Sequence, residues 1–310
     1  MSKKTIAKFS LFVILTSFSS LMLNGCSAPQ KPVATNPNFG PPRVVGKIKS
    51  KDIPESSGVA ASRCQNDVLW THNDSGNSNL IFAISPAGDV LATYRVKDTK
   101  NRDWEDIATF KDKAGKCFVY IGEIGDNDGK RPEHEVYRIS EPVVPQTPST
   151  AKDPLETELP QTVRFRYPDQ IQNAETLMVH PITGDIYVAT KRRSGPAGVY
   201  KVKPGFDSPD VQNAEKVGEI SVPAVPNGLL TGGDISPDGR HAVLCDYLQG
   251  YELTLPEGDN NFDDIWRQPA EPVDLGKRPH GEGVGYNIDG TALYATSEEE
   301  NAPVIEVKRK

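Results

Sequence analysis

Residues 282–308 read EGVGYNIDGTALYATSEEENAPVIEVK, and the chain ends two residues later. Three short runs rich in Val, Ile, Tyr and Ala alternate here with Gly, Asp, Asn and Pro, the pattern of strands between tight turns. The same order of runs occurs four times upstream, but with four runs in each set. The first set is SGVAAS, VLWTH, NLIFAIS and VLATYRV; the second is DIATF, CFVYIGEI, HEVYRIS and TVRFRY. The third is ETLMVH, DIYVAT, GVYKVK and VGEISV; the fourth is GGDIS, HAVLCDY, GYELTL and EPVDLG. The final set therefore lacks one strand. RVVGKIK, residues 43–49, precedes the first set and supplies it. A ring closed in this way leaves no sheet edge exposed. The expected fold is all-β: a five-bladed β-propeller whose N-terminal strand completes the last blade.

The sets start near Glu55, Glu105, Glu175, Gly233 and Glu282, at intervals of 50, 70, 58 and 49 residues. A Pro-rich insertion, residues 141–160, explains the long interval; a second, EGDNNFDDIWRQPA, lies in the fourth set. A six-bladed ring is the architectural alternative, but the insertions lack the strand runs for another blade. A β-sandwich leaves the split final set unexplained.

The repeat organises the charge. In a propeller the first strand of each blade lines the channel, so the loops entering those strands share one face with the turns between strands two and three. In NRDWEDIATF, residues 101–110, three acids crowd a tryptophan at the start of a strand. Like charges this close resist folding unless something compensates them. Glu55, Glu105, Glu175, Asp234 and Glu282 enter the channel mouth from all five blades, and oxygen donors from several directions suit a hard divalent cation, Ca2+ before Mg2+. The alternative is a water-filled acidic channel. The second-to-third turns add Asn73, Asp74, Asp126, Asn127, Lys191, Arg192 and Arg193 as candidate ligand contacts. Glu105 or Asp106 is the candidate base, with Arg192 and Arg193 as candidate charge-offsetting groups. The turns between strands one and two lie on the opposite face. Cys64 and Cys117 fall there in adjacent blades, and a disulfide between them is expected; Cys245, inside HAVLC, reads as a buried small hydrophobe.

The N-terminal 25 residues have a basic start at Lys3, Lys4 and Lys8 and an apolar stretch ending in LNGC, a secretory signal. Leu23, Gly25 and Cys26 resemble a bacterial lipobox. That resemblance implies cleavage before Cys26, acylation including palmitate, and attachment to the membrane. Ser27, where an aspartate would imply inner-membrane retention, points to the outer membrane if the cell is diderm. The alternative is an ordinary signal peptide with a chance cysteine. Residues 26–42 read as a Pro-rich tether and residues 43–310 as the propeller domain. Loss of residues 1–25 takes the formal charge from −7 to about −10, which argues against nucleic acid. No HExxH, Walker loop, GxSxG elbow or dinucleotide fingerprint occurs, and His72, His134, His180, His241 and His280 form no zinc signature.

ESSG, LWTHNDSG, DWEDIA, YIGEIGDN, NAETLMVHP, TGGDISPDG and GEGVGY, in this order over residues 44–299, resemble a family of bacterial secreted and lipid-anchored β-propeller proteins of uncharacterised function. Glu123 and Cys245 depart from that family's pattern, which often has Asp and a basic residue there. FVYIGEIGDN, NAETL, TKRRSG and GTALYATSEEE are faintly similar to calcium-activated apyrases. That likeness implies a central calcium role for Glu105, Glu175, Glu282 and Ser297, and phosphate contact for Arg192 and Arg193. Two functions follow as expectations. One is a membrane-anchored envelope propeller that binds a divalent cation in its channel and an envelope ligand or protein on the acidic face. The alternative is a calcium-dependent phosphohydrolase. The sequence shows no nucleophile that decides between binding and catalysis.

Overall fold

The computed structural model describes residues 36–223 and 228–310. The signal segment and Cys26 lie outside them. Twenty-three strands form five separate sheets, and a single 3-10 helix interrupts them among the described residues. From the channel outward, blade 1 is Ser56–Ala61, Leu69–Asn73, Leu80–Ile84 and Val90–Arg95; blade 2 is Trp104–Lys111, Cys117–Glu123, His134–Ser140 and Gln161–Arg166. Blade 3 is Ala174–Val179, Ile186–Arg192, Ala197–Val202 and Glu215–Ile220; blade 4 is Gly232–Ile235, His241–Cys245, Gly250–Thr254 and Glu271–Val273. Blade 5 is Gly281–Tyr286, Ala292–Ser297 and Pro303–Lys308, completed on its outer edge by Arg43–Lys47. The fold is the five-bladed propeller expected, with no sixth blade among the described residues.

The five innermost strands touch in cyclic order. Ser56–Ala61 meets Trp104–Lys111, which meets Ala174–Val179, then Gly232–Ile235, then Gly281–Tyr286, which returns to Ser56–Ala61. Closure at this radius needs small residues. A Cβ on Gly232 would sit 2.3 Å from the Glu282 carbonyl oxygen. Two carboxylates staple the ring where backbone amides of neighbouring first strands have no in-sheet partner. Asp106 accepts from Leu177 N at 2.9 Å and Gly233 N at 3.4 Å; Asp234 accepts from Tyr286 N at 2.9 Å. Apolar clusters between the blades form the core, with Trp70, Trp104, Tyr120, Tyr200, Tyr251 and Tyr286 fully buried.

The insertions cover edges. Residues 141–160 leave blade 2 and return along blade 1, where Leu155–Glu156 pairs in parallel with Val90–Arg95. Glu141 accepts from Trp70 Nε1 at 2.9 Å, and Tyr94 donates to the Val143 carbonyl at 2.8 Å. The helix Phe262–Arg267 packs Phe262, Ile265 and Trp266 into the cluster between blades 3 and 4. Cys64 and Cys117 are bonded, with Cα atoms 6.2 Å apart, and Cys245 is buried and free.

Candidate functional site

Four of the five first strands carry a β-bulge near their entrance. The register shifts between Ser56 and Val59, Trp104 and Asp106, Ala174 and Thr176, and Gly281 and Val284. A bulge inserts an unpaired residue and re-aims its side chain. Ser57, Glu105, Glu175 and Glu282 are the residues so placed, and all four line one cavity of about 510 Å³ at the channel mouth. Blade 4 pairs without a shift from Gly232 to Ile235 and presents no side chain of this kind.

The cavity is also lined by Asp74, Asn127, Asn173, Lys191, Arg193, Leu229, Tyr247 and Glu298. Five carboxylates thus face two basic groups. Glu175, buried, forms an ion pair with the partly buried Lys191, and the Lys191 ammonium also lies 4.9 Å from the centre of the Tyr247 ring. Burial raises the Glu175 carboxyl to about 7 against the opposing pull of Lys191. Glu282 is pushed well above the usual carboxylate range by burial and by Glu175, again opposed by Lys191. Glu105 is pushed up by burial and then by Glu175, Asp74 and Asp103. Its Oε1 is buried without a hydrogen-bond partner, an arrangement that costs free energy unless a partner is supplied. One carboxylate oxygen from each of Asp74, Asp103 and Glu105 lies within 4.8 Å of the other two.

Of the five residues expected to ring a cation, Glu105, Glu175 and Glu282 converge on this cavity. Glu55 does not line it; its carboxylate accepts from Asn77 at 2.6 Å, and Ser57 takes the bulge position in blade 1. Asp234 is paired with Arg63 at 3.0 Å, toward the opposite end of the channel. Asp106 is wholly engaged by backbone amides, a role in closure. Lys191 and Arg193 line the cavity, whereas Arg192, between them, points away and donates to Gln172 at 3.3 Å. That is the ordinary alternation of a strand end. Asn127 lines the cavity. Asn73 and Asp126 are loop-forming instead. Asn73 accepts from Glu55 N at 3.2 Å and donates to the Asp52 carbonyl at 2.8 Å. Asp126 accepts from Lys130 N at 2.9 Å and Arg131 N at 2.7 Å.

Ser297 donates to the His280 carbonyl at 2.9 Å and is absent from the lining. His280 packs beside Tyr247, His72 packs on Trp104, and His180 lies at the far end against Phe262. The Cys245 thiol, enclosed between blades 4 and 5, is raised to about 11 by burial, unsuited to nucleophilic work at neutral pH. Tyr247 stands, as its second-to-third turn predicts, on the same face, whereas Ser57 and Asn173 carry no such expectation. Ser57 holds the bulge position that Glu105, Glu175 and Glu282 hold in their blades, and Asn173 stands two residues before Glu175 as Asp103 does before Glu105, so alignment of the bulges, rather than of the acids, identifies them.

No family model matches the chain, and no curated protein matches it. Among solved structures, the soluble aldose sugar dehydrogenase from Escherichia coli, in its apo form, is similar at 11% identity and a TM-score of 0.46, over 87% of this chain and 99% of that one. A chain in a nidogen/laminin complex is similar at 15% identity and a TM-score of 0.39, over 79% of this chain and 73% of that one. Similarity this distant says nothing about the chemistry of the mouth.

Proposed function

We propose that this protein is a lipid-anchored envelope propeller that holds a divalent cation at its channel mouth and takes a ligand on the surrounding loops. One observation carries the reading. Glu105 is a 4% exposed carboxylate with an unpartnered oxygen, set among more acids than the local lysine and arginine neutralise. A divalent ion supplies both the missing partner and the missing charge. The Cys64–Cys117 bond supports an oxidising compartment, as the secretory signal implies. Calorimetric titration of the EDTA-stripped protein at pH 7.5 tests the reading. Saturable uptake of Ca2+ at one site is expected; no saturable uptake of Ca2+, Mg2+ or Mn2+ would overturn it.

A second reading, the calcium-dependent phosphohydrolase, is favoured by Lys191 and Arg193 lining the same cavity as the acids. Its signature is calcium-dependent phosphate release from nucleotides or sugar phosphates, lowered at least ten-fold by Arg193→Ala. Absence of turnover on such a panel with Ca2+ would remove it.

A further inference from the structure

We infer that the cation site lies off the channel axis, on Asp74, Asp103 and Glu105, and that Lys191 is the fixed counter-ion of the axial glutamates. The inference rests on the cation-binding reading above and assigns its ligands. Pseudosymmetry alone would put an ion among Glu105, Glu175 and Glu282. The ring is not symmetric, however. Blade 3 sends the Lys191 ammonium inward to pair with Glu175, and its charge also reaches Glu282. A dication on the axis would sit against that ammonium and compete for the same oxygens.

Glu105 is different. It is 4% exposed, and its Oε1 faces the cluster with no hydrogen-bond partner. Asp74 and Asp103 each bring a carboxylate oxygen within 4.8 Å of a carboxylate oxygen of Glu105. These two acids come from separate loops that are held from behind. Asp74 N donates to the Glu55 carbonyl at 3.1 Å, and Asn101 Nδ2 donates to the Asp74 carbonyl at 2.9 Å. Asp103 N donates to Glu123 at 3.1 Å. Arg131, whose charge reaches Asp103, is already paired with Glu123 at 2.8 Å and donates to the Gly125 carbonyl at 2.7 Å. A third loop closes the site. A Cβ on Gly125 would stand 2.0 Å from Glu105 Oε1 and 2.5 Å from Asp103 Cγ, so only glycine lets the backbone approach while both carboxylates keep their positions.

Three carboxylates and no nitrogen or sulfur make a hard donor set. Three acids so close together suit Ca2+, which takes six to eight oxygens in flexible geometry; Mg2+ commonly takes one or two and keeps its water. Asp74 and Glu105 also line the 510 Å³ cavity, so the coordination positions they leave open face it. A ligand oxygen entering beside Asn127 and Asn173 reaches the ion there.

The test is calcium titration of the EDTA-stripped wild type and four variants, each first checked for a folded spectrum in EDTA. Asp74→Asn, Asp103→Asn and Gly125→Ala are each expected to lower affinity at least ten-fold, and Glu282→Gln less than three-fold. Gly125→Ala removes no ligand and introduces no charge, so it keeps the test open if an acid variant fails to fold. A loss in Glu282→Gln equal to that in Asp103→Asn, or undiminished binding in the first three, overturns the assignment and leaves the cation-binding reading standing. A wild type that takes up no Ca2+ overturns both.

Discussion

Burial raises the Glu175 carboxyl to about 7, and the Lys191 ammonium keeps it from rising further. The consequence for stability has a definite sign. Between the ordinary glutamate range and pH 7 the folded chain holds a proton there that the unfolded chain has lost, so stability falls as pH rises through that window. Glu105 and Glu282, also raised, add to the fall. In EDTA the melting temperature is expected to drop between pH 5 and pH 8, and Ca2+ is expected to restore it at pH 8; a flat profile in EDTA contradicts this. Lys191→Met leaves Glu175 without its partner and is expected to cost about 3 kcal/mol at pH 8. The cost should shrink toward pH 5, where Glu175 is protonated, and urea melts at the two pH values measure the difference. Glu105, Glu175 and Glu282 were legible in the sequence because each opens a repeat at the same phase. Glu55 was not, because the bulge of blade 1 begins later and puts Ser57 in place. The divergence of Arg192 from Arg193 follows from strand alternation continuing to the end of Ile186–Arg192, a boundary that apolar periodicity does not reveal.

At the scale of elements, the blades were readable because short apolar runs recur in a fixed order between turn residues; strands such as Leu80–Ile84 and Cys117–Glu123 are buried along their whole length, so they read as runs and not as alternation. The destination of the long insertion was not. Leu155–Glu156 has two residues and no apolar rhythm; it is a strand only because the edge of Val90–Arg95 offers it partners. The Cys64–Cys117 bond joins blades 1 and 2 across 53 residues of sequence and constrains the unfolded chain accordingly. Replacing both cysteines by serine is expected to cost about 2–4 kcal/mol in urea denaturation. Equal midpoints for wild type and the double variant would contradict that. The bulges are the elements on which the site depends, since without them an acid entering the first strand would lie in the sheet's ordinary alternation instead of the channel.

For the whole molecule, closure is the governing feature. Arg43–Lys47 contributes little apolar burial, with Val44 62% exposed, but it covers the edge of Pro303–Lys308. Deleting residues 36–47 is expected to lower the melting temperature and to produce concentration-dependent association through the freed edge, read by light scattering. A monodisperse, equally stable truncation would contradict it. Anchoring is argued from the leader alone. Labelling of cells with a palmitate analogue is expected to mark the wild type and not Cys26→Ser, and labelling of both would count against the lipobox. The pseudosymmetric ring was legible from the repeats; the asymmetry that matters, Lys191 from one blade and, from two others, the loop acids Asp74 and Asp103 beside the bulge acid Glu105, was not, because it depends on which side chains the closed ring brings within reach. Anomalous diffraction from crystals grown with Mn2+ in place of Ca2+ locates the ion directly. A single peak is expected about 2.1–2.6 Å from oxygens of Asp74, Asp103 and Glu105, whereas a peak between Glu175 and Glu282, or none at the mouth, would contradict the account.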